Sequence, residues 1–155
     1  MRLVGHVGPV TSVRFSADGT KVVTASRDSD ARIWDAASGA PLRLLRGHFA
    51  IVSDASFSPN GRWVVTAGPS NAALWDAASG ARIFFLHGHS DIVTSASFDP
   101  TGRRIVTGGR DGEVRLYVCD ICVGGTELLR AADRRLRSTR RTLTEAERGL
   151  ALGER

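Results

Sequence analysis

Several residue types are almost missing from this chain of 155 residues: it has one methionine, one tyrosine, two cysteines, and a single lysine, Lys21, beside twenty arginines. Cys119 and Cys122 form one Cys-x-x-Cys, which is half of a tetrahedral zinc site with no second pair after it. The strand-to-helix setting of a thioredoxin-like redox unit is also missing. Reduced structural thiols are therefore expected, with a redox-labile disulfide and a metal site as the alternatives, and reduced thiols suit a cytoplasmic protein. No run of 18 apolar residues occurs and no basic-then-apolar leader opens the sequence, which predicts neither a membrane span nor a signal peptide. A Gly-rich phosphate loop ending in Lys-Ser/Thr is lacking too, so no NTPase chemistry is expected of these residues. No cofactor or metal is predicted.

What the chain does have is one stretch written three times. Residues 5–35 read GHVGPVTSVRFSADGTKVVTASRDSDARIWD, and the pattern returns over 47–76 and 88–118. The Gly-His pairs put histidines at 6, 48 and 89, a period of 41 to 42 residues. Such a period means stacked supersecondary units, none of which can bury its apolar faces alone. Within a unit, the runs Val10 to Phe15, Lys21 to Ser26 and Ala31 to Trp34 are short and rich in β-branched and aromatic residues. Asp18-Gly19, Asn60-Gly61 and Thr101-Gly102 stand between the first two runs, where a hairpin needs residues tolerant of positive φ. A second turn, Ala36 to Gly39, recurs letter for letter as Ala77 to Gly80 and leads to a fourth run, Pro41 to Leu45.

The Gly-His pair, the Phe-Ser-x-Asp-Gly turn and the closing Ile-Trp-Asp together resemble the WD repeat. That resemblance implies an all-β fold: a partial WD-type β-propeller of three four-stranded antiparallel blades. A short α-helical tail follows it. The units fall at 5–46, 47–87 and 88–122, the last with an atypical end. Residues 1–4 read as the last strand of a preceding, absent blade, and 123–155 as a basic helical tail. Three blades are too few to close a ring.

The resemblance further implies a buried hydrogen-bonded tetrad in each blade: His6, Thr24, Asp28 and Trp34, then His89, Thr107, Asp111 and Tyr117. The second unit supplies His48, Thr66 and Trp75, but its turn is one residue shorter, and Pro69 or Asn71 stands where the acid belongs. With no nucleophile repeating beside them, these groups read as structural, and no catalytic residue is assigned. In the family, partners lie over the face near the channel. By spacing, that face holds Pro9, Thr11, Ile51, Ser53, Ile92 and Thr94, with Arg27 and Arg110 before the turn aspartates. Two arginines with interspersed hydroxyls suit an acidic peptide or a phosphate group, the alternative being plain solvated loop residues.

The formal charge of +5 is not a nucleic-acid signature, because residues 123–155 hold eight basic and five acidic side chains and contribute +3 of it. Their basic run, Arg134 to Arg141, has no aromatic to stack on a base, so no specific nucleic acid is expected. Thr126 is placed to cap a helix through Leu128, Leu129, Ala132 and Leu136, and Thr144 with Glu147 has capping-box spacing. The ending, from Val114 through Cys122 to Arg148, resembles the C-terminus of bacterial WD-repeat signalling proteins of the STAND type. The arginine, alanine and glycine bias fits a high-GC bacterial genome. The reading is a non-enzymatic scaffold or sensor that binds a protein or peptide. The chain is read as the C-terminal fragment of a larger bacterial signalling protein whose parent chain supplies the missing blades; the alternatives are a truncated remnant without its own activity, or a propeller completed by self-association.

Overall fold

The computed structural model describes residues 1–122, which form one compact unit; the expected tail helices and the Arg134 to Arg141 run lie outside the described residues. Alternating β-branched residues produce the strands. The first sheet runs β1 (Val10–Phe15), β2 (Lys21–Ser26), β3 (Asp30–Asp35) and β4 (Pro41–Arg46), antiparallel and in chain order. The second is β5 (Asp54–Phe57), β6 (Trp63–Ala67), β7 (Ala72–Asp76) and β8 (Arg82–Leu86). The third has β9 (Val93–Phe98), β10 (Arg104–Gly109) and β11 (Val114–Val118). No helix among the described residues is long and apolar enough to cross a membrane.

The turns follow from their residues. Gly19 and Gly61 adopt φ of 70° and 67°, a conformation costly for any side chain bearing a Cβ. The repeated Asp-Ala-Ala-Ser-Gly turn is closed by its aspartate: Asp35 Oδ1 accepts the Ser38 N–H and hydroxyl at 2.7 Å each, and Asp76 does the same for Ser79. The Ser38 hydroxyl and N–H hold the Asp35 carboxyl below its ordinary range.

Period-2 alternation gives every sheet two apolar faces, and the core lies between sheets. Val23, Ala25, Ala31 and Ile33 of the first sheet pack with Ala55, Val64, Ala73 and Trp75 of the second. The opposite face of the second sheet, Val65, Ala67, Ala72 and Leu74, packs with Val93, Ala96 and Ile105 of the third.

The third blade ends differently. After β11 the Asp-Ala-Ala-Ser-Gly turn is replaced by a tight turn in which the Cys122 N–H donates to the Cys119 carbonyl, and the described residues stop before any fourth strand. Cys119 and Cys122, expected as free thiols, are joined in a disulfide. The turn brings their Cα atoms to 5.3 Å, within the ordinary reach of such a bond, and both side chains are buried in the second core. Met1 to Val4 makes no ladder. The third strand it would pair with is not among the described residues, and Met1 and Leu3 lie over Gly39 instead.

One anchor has no counterpart in the repeat pattern. Asp54, buried at the start of β5, accepts hydrogen bonds from the Ser12 hydroxyl (2.6 Å) and the Arg14 guanidinium (3.2 and 3.3 Å) of β1, and from the Ala96 N–H (3.3 Å) of β9. It ties the inner strands of all three blades together. Asp54→Ala leaves those donors without their acceptor, so it should lower unfolding stability by roughly 2–4 kcal/mol. Ser12→Ala should cost about 1 kcal/mol. Urea denaturation of the three proteins measures both.

Candidate partner-binding face

The chemistry of the tetrads follows from who can donate. An indole N–H only donates, so the Trp34 contact to Thr24 Oγ1 at 2.9 Å makes that oxygen an acceptor. The threonine proton then goes to His6 Nε2 at 2.7 Å, which puts the imidazole proton on Nδ1, facing Asp28 at 2.7 Å. Burial opposes the charge on Asp28, but bonds from His6, the Val7 N–H and the Asp30 N–H overcome it and hold the carboxyl at about 2. The third blade repeats the relay from Thr107 to His89 (2.8 Å) and from His89 to Asp111 (2.8 Å). Tyr117 does not join it. Its hydroxyl lies at the far tip of the ring, beyond where an indole N–H sits, and donates to the His87 carbonyl at 3.1 Å.

In the second blade Trp75 donates to Thr66 at 2.8 Å and Thr66 pairs with His48 at 2.7 Å, with no acid beyond. The space is closed from below by Gly68, where an added Cβ would stand 2.1 Å from His48 Nδ1. Burial, reinforced by the positive charge of Arg82, pushes the His48 imidazole down to about 4.

Seven of the eight residues expected on the partner face converge. Thr11, Arg27, Ile51, Ser53, Ile92, Thr94 and Arg110 line one depression of about 290 Å³, together with Ala50 and Pro69. Pro9 does not line it; its carbonyl accepts the Arg27 N–H at 2.9 Å and so fixes where that arginine starts. The Ile92 carbonyl does the same for Arg110 at 2.8 Å. The two arginines thus leave corresponding points of the first and third blades, and Pro69 holds the corresponding stretch of the second. Neither guanidinium has a partner among the described residues. The hydroxyls are less available than their sequence spacing implied: Thr11 donates to the Val52 carbonyl at 2.6 Å and Thr94 to the Gly108 carbonyl at 3.0 Å.

The family described as WD domain, G-beta repeat matches residues 1–35, 39–76 and 80–117, most of the chain. The chain belongs to this WD40 family. Similar proteins include a nuclear distribution protein PAC1 from Arthroderma benhamiae, 43% identical over 43% of this chain and 16% of its own length. Ribosome assembly protein 4 from Chaetomium thermophilum is 41% identical over 41% of this chain and 12% of its own. A serine-threonine kinase receptor-associated protein from Dictyostelium discoideum is 39% identical over 41% and 22%. The chain therefore spans less than a quarter of the length of each. Among solved structures, those titled "Structure of U3-55K" and "Crystal structure of RRP9 WD40 repeats" each superpose with a TM-score of 0.72 at 21% identity. Each covers 75% of this chain, and 38% and 37% of their own. That likeness fixes the WD40 fold.

Asp54, Ala50 and Pro69 were not found from the WD40 pattern. Asp54 stands where the other units have Ser12 and Ser95, and nothing in the spacing marks it as shared by three blades. His89, Asp111 and Glu113 bring ligand-type atoms within 4.8 Å of one another. His89 is already committed to Asp111, and Glu113 to Arg115, so the cluster is explained by the relay and an ion pair.

The buried His48 makes the second blade the acid-sensitive one. Between pH 6.5 and about 4 the unfolded chain binds a proton there that the folded chain does not, so stability rises with pH across this window and falls on acidification. The loss should reach about 3 kcal/mol by pH 4. Chemical denaturation at stepped pH reads it, and His48→Gln should flatten the slope between these limits while leaving the Asp28 effect, which is lost only as pH falls from 3.8 towards 2.

Proposed function

We propose that this chain is a non-enzymatic protein-interaction module whose three blades hold out the Arg27, Ile51, Ile92 and Arg110 depression to an acidic segment of a partner protein. The observation that carries the reading is that Arg27 and Arg110, whose guanidiniums have no partner among the described residues, line one hollow together with Ile51, Pro69 and Ile92. A guanidinium pairs a carboxylate in bidentate fashion, and the apolar lining residues add contact area for an aliphatic side chain. The backbone bonds that pin Arg27 and Arg110 reduce the ordering needed on binding. The tetrad groups support no chemistry of their own in this reading, because each is spent on its neighbour.

We further read the chain as the propeller part of a longer, cytoplasmic bacterial signalling protein, on the strength of its closing sequence and its arginine bias. The relatives named above are eukaryotic, so they lend support to the interaction role and none to that setting.

Titration of the isotopically labelled chain with a polyglutamate peptide tests the face. Amide shifts should centre on Ile51, Ile92 and Thr94 and weaken with added salt. Arg27→Ala and Arg110→Ala should each weaken binding roughly tenfold, the equivalent of one charged hydrogen-bonded pair. Shifts distributed elsewhere, or titrations unaltered in either variant, would sink the assignment.

A further inference from the structure

Each blade has two unlike faces, and the interior of this chain shows which face receives which. The face carrying Ala31 and Ile33 takes the face carrying Ala55 and Trp75, and the pattern repeats one sheet on, where Ala72 and Leu74 meet Ala96 and Ile105. The same two faces stand open at the two ends. On β11, Val114 and Leu116 occupy the places of Ala31 and Ile33, yet they are 77% and 61% exposed, where Ala31 and Ile33 are at 0%. On β1, Val13 occupies the place of the fully buried Ala55 and is 62% exposed, and Phe15 beside it is 68% exposed.

Among the described residues an edge is unpaired as well as a face exposed. In the first two sheets the third strand is covered by the residues just before the next Gly-His pair, with Leu45 opposite Ala31 and Leu86 opposite Ala72. Before the first Gly-His pair, Leu3 holds that same place and pairs with no strand among the described residues. Arg2, Leu3 and Val4 instead border a hollow of about 430 Å³ over Val13, Thr24 and Trp34. The β11 edge is ready for such a strand. The Glu113 carbonyl accepts the Gly109 N–H of the β10 side, so the peptide groups of Val114, one residue on, point to the open side.

We infer that two copies of this chain join head to tail. The Val114 and Leu116 face of each takes the Val13 and Phe15 face of the other, and Met1 to Val4 adds a fourth strand to the other's third sheet, Leu3 opposite Val114. A second copy is the occupant because the described residues carry both halves of the contact, and because the fit is continuous with two interfaces the fold already contains. Two copies supply six blades, within the four to eight of closed propellers, and a head-to-tail contact that closes leaves no free edge. An exposed apolar edge strand would otherwise promote disordered aggregation.

Light scattering and sedimentation of the purified chain test this directly. The expected mass is twice the 16.6 kDa of one chain. Leu116→Asp and Val13→Asp, both at exposed positions, should each give a folded single-chain species with an unchanged circular dichroism spectrum. Mixing the two variants should restore a dimer, because one of the two contacts then joins an intact face to an intact face. As a separate check on register, equimolar Leu3→Cys and Val114→Cys proteins should form a disulfide-linked pair on oxidation, and Leu3→Cys with Arg115→Cys should not. A wild-type single-chain mass from micromolar to hundreds of micromolar overturns the proposal, as would a ladder of larger masses. So would variants that leave the mass unchanged, or a mixture that stays monomeric. Closure by blades of a longer chain, the competing occupant, predicts that single-chain mass for the wild type.

Discussion

A four-stranded blade with apolar residues on both faces cannot shield itself, and everything else in this structure follows from that. Alternation along β2 sends Val23 and Ala25 one way and Val22 and Thr24 the other, so each sheet must be sandwiched. With roughly 25 cal/mol gained per Å² of apolar surface removed from water, the blade-to-blade faces are the main source of stability. The polar anchors only decide how those faces sit. Asp54 serves that end: one carboxylate accepting from both neighbouring blades sets the spacing of the inner strands from which the candidate face is built.

The relays solve a second problem created by the first. The first two blades each bury an indole N–H, a threonine hydroxyl and an imidazole ring, and an unpaired buried polar group costs about 1–3 kcal/mol. Running the donors in one direction, from Trp34 through Thr24 and His6 to Asp28, satisfies each in turn and ends on a carboxylate that also accepts the Val7 and Asp30 N–H groups. The segment leading into β1 is thereby sewn to the turn between β2 and β3. The second blade lacks the final acceptor and keeps its imidazole neutral by burial instead, which is why a loss of stability between pH 6.5 and about 4 is expected there.

Strands, turns and the histidine-threonine pairs were legible in the sequence because each rests on local chemistry repeated at a fixed offset. Val10–Phe15 and Lys21–Ser26 match their expected runs residue for residue, since alternation and the Asp18-Gly19 turn settle both ends. Other features were not legible. The hydrogen-bond reach of Tyr117 depends on the length of its ring, which a substitution pattern treating aromatics as equivalent does not register. The Cys119–Cys122 bond depends on how the chain turns after β11, at the one place where the repeated turn is lost. Asp54 was not legible because its partners are 40 and 42 positions away, beyond any local pattern.

The candidate face draws its character from where the repeats disagree. If all three units were alike, the second blade would carry an arginine before a turn aspartate, and three guanidiniums would crowd one rim with an acid behind each. Instead the shorter turn of the second unit puts Pro69 between Arg27 and Arg110, lining the hollow with apolar surface and separating the two charges. The missing aspartate belongs to the same shortening, because the turn that carries Asp28 in the first unit is the one that contracts to Pro69, Ser70 and Asn71 in the second. One local change thus has two consequences: an imidazole without its acid, and a depression lined by Pro69 where a third arginine would otherwise stand. The repeated residues fix the frame, and the departure from the repeat supplies the chemistry that a partner would meet.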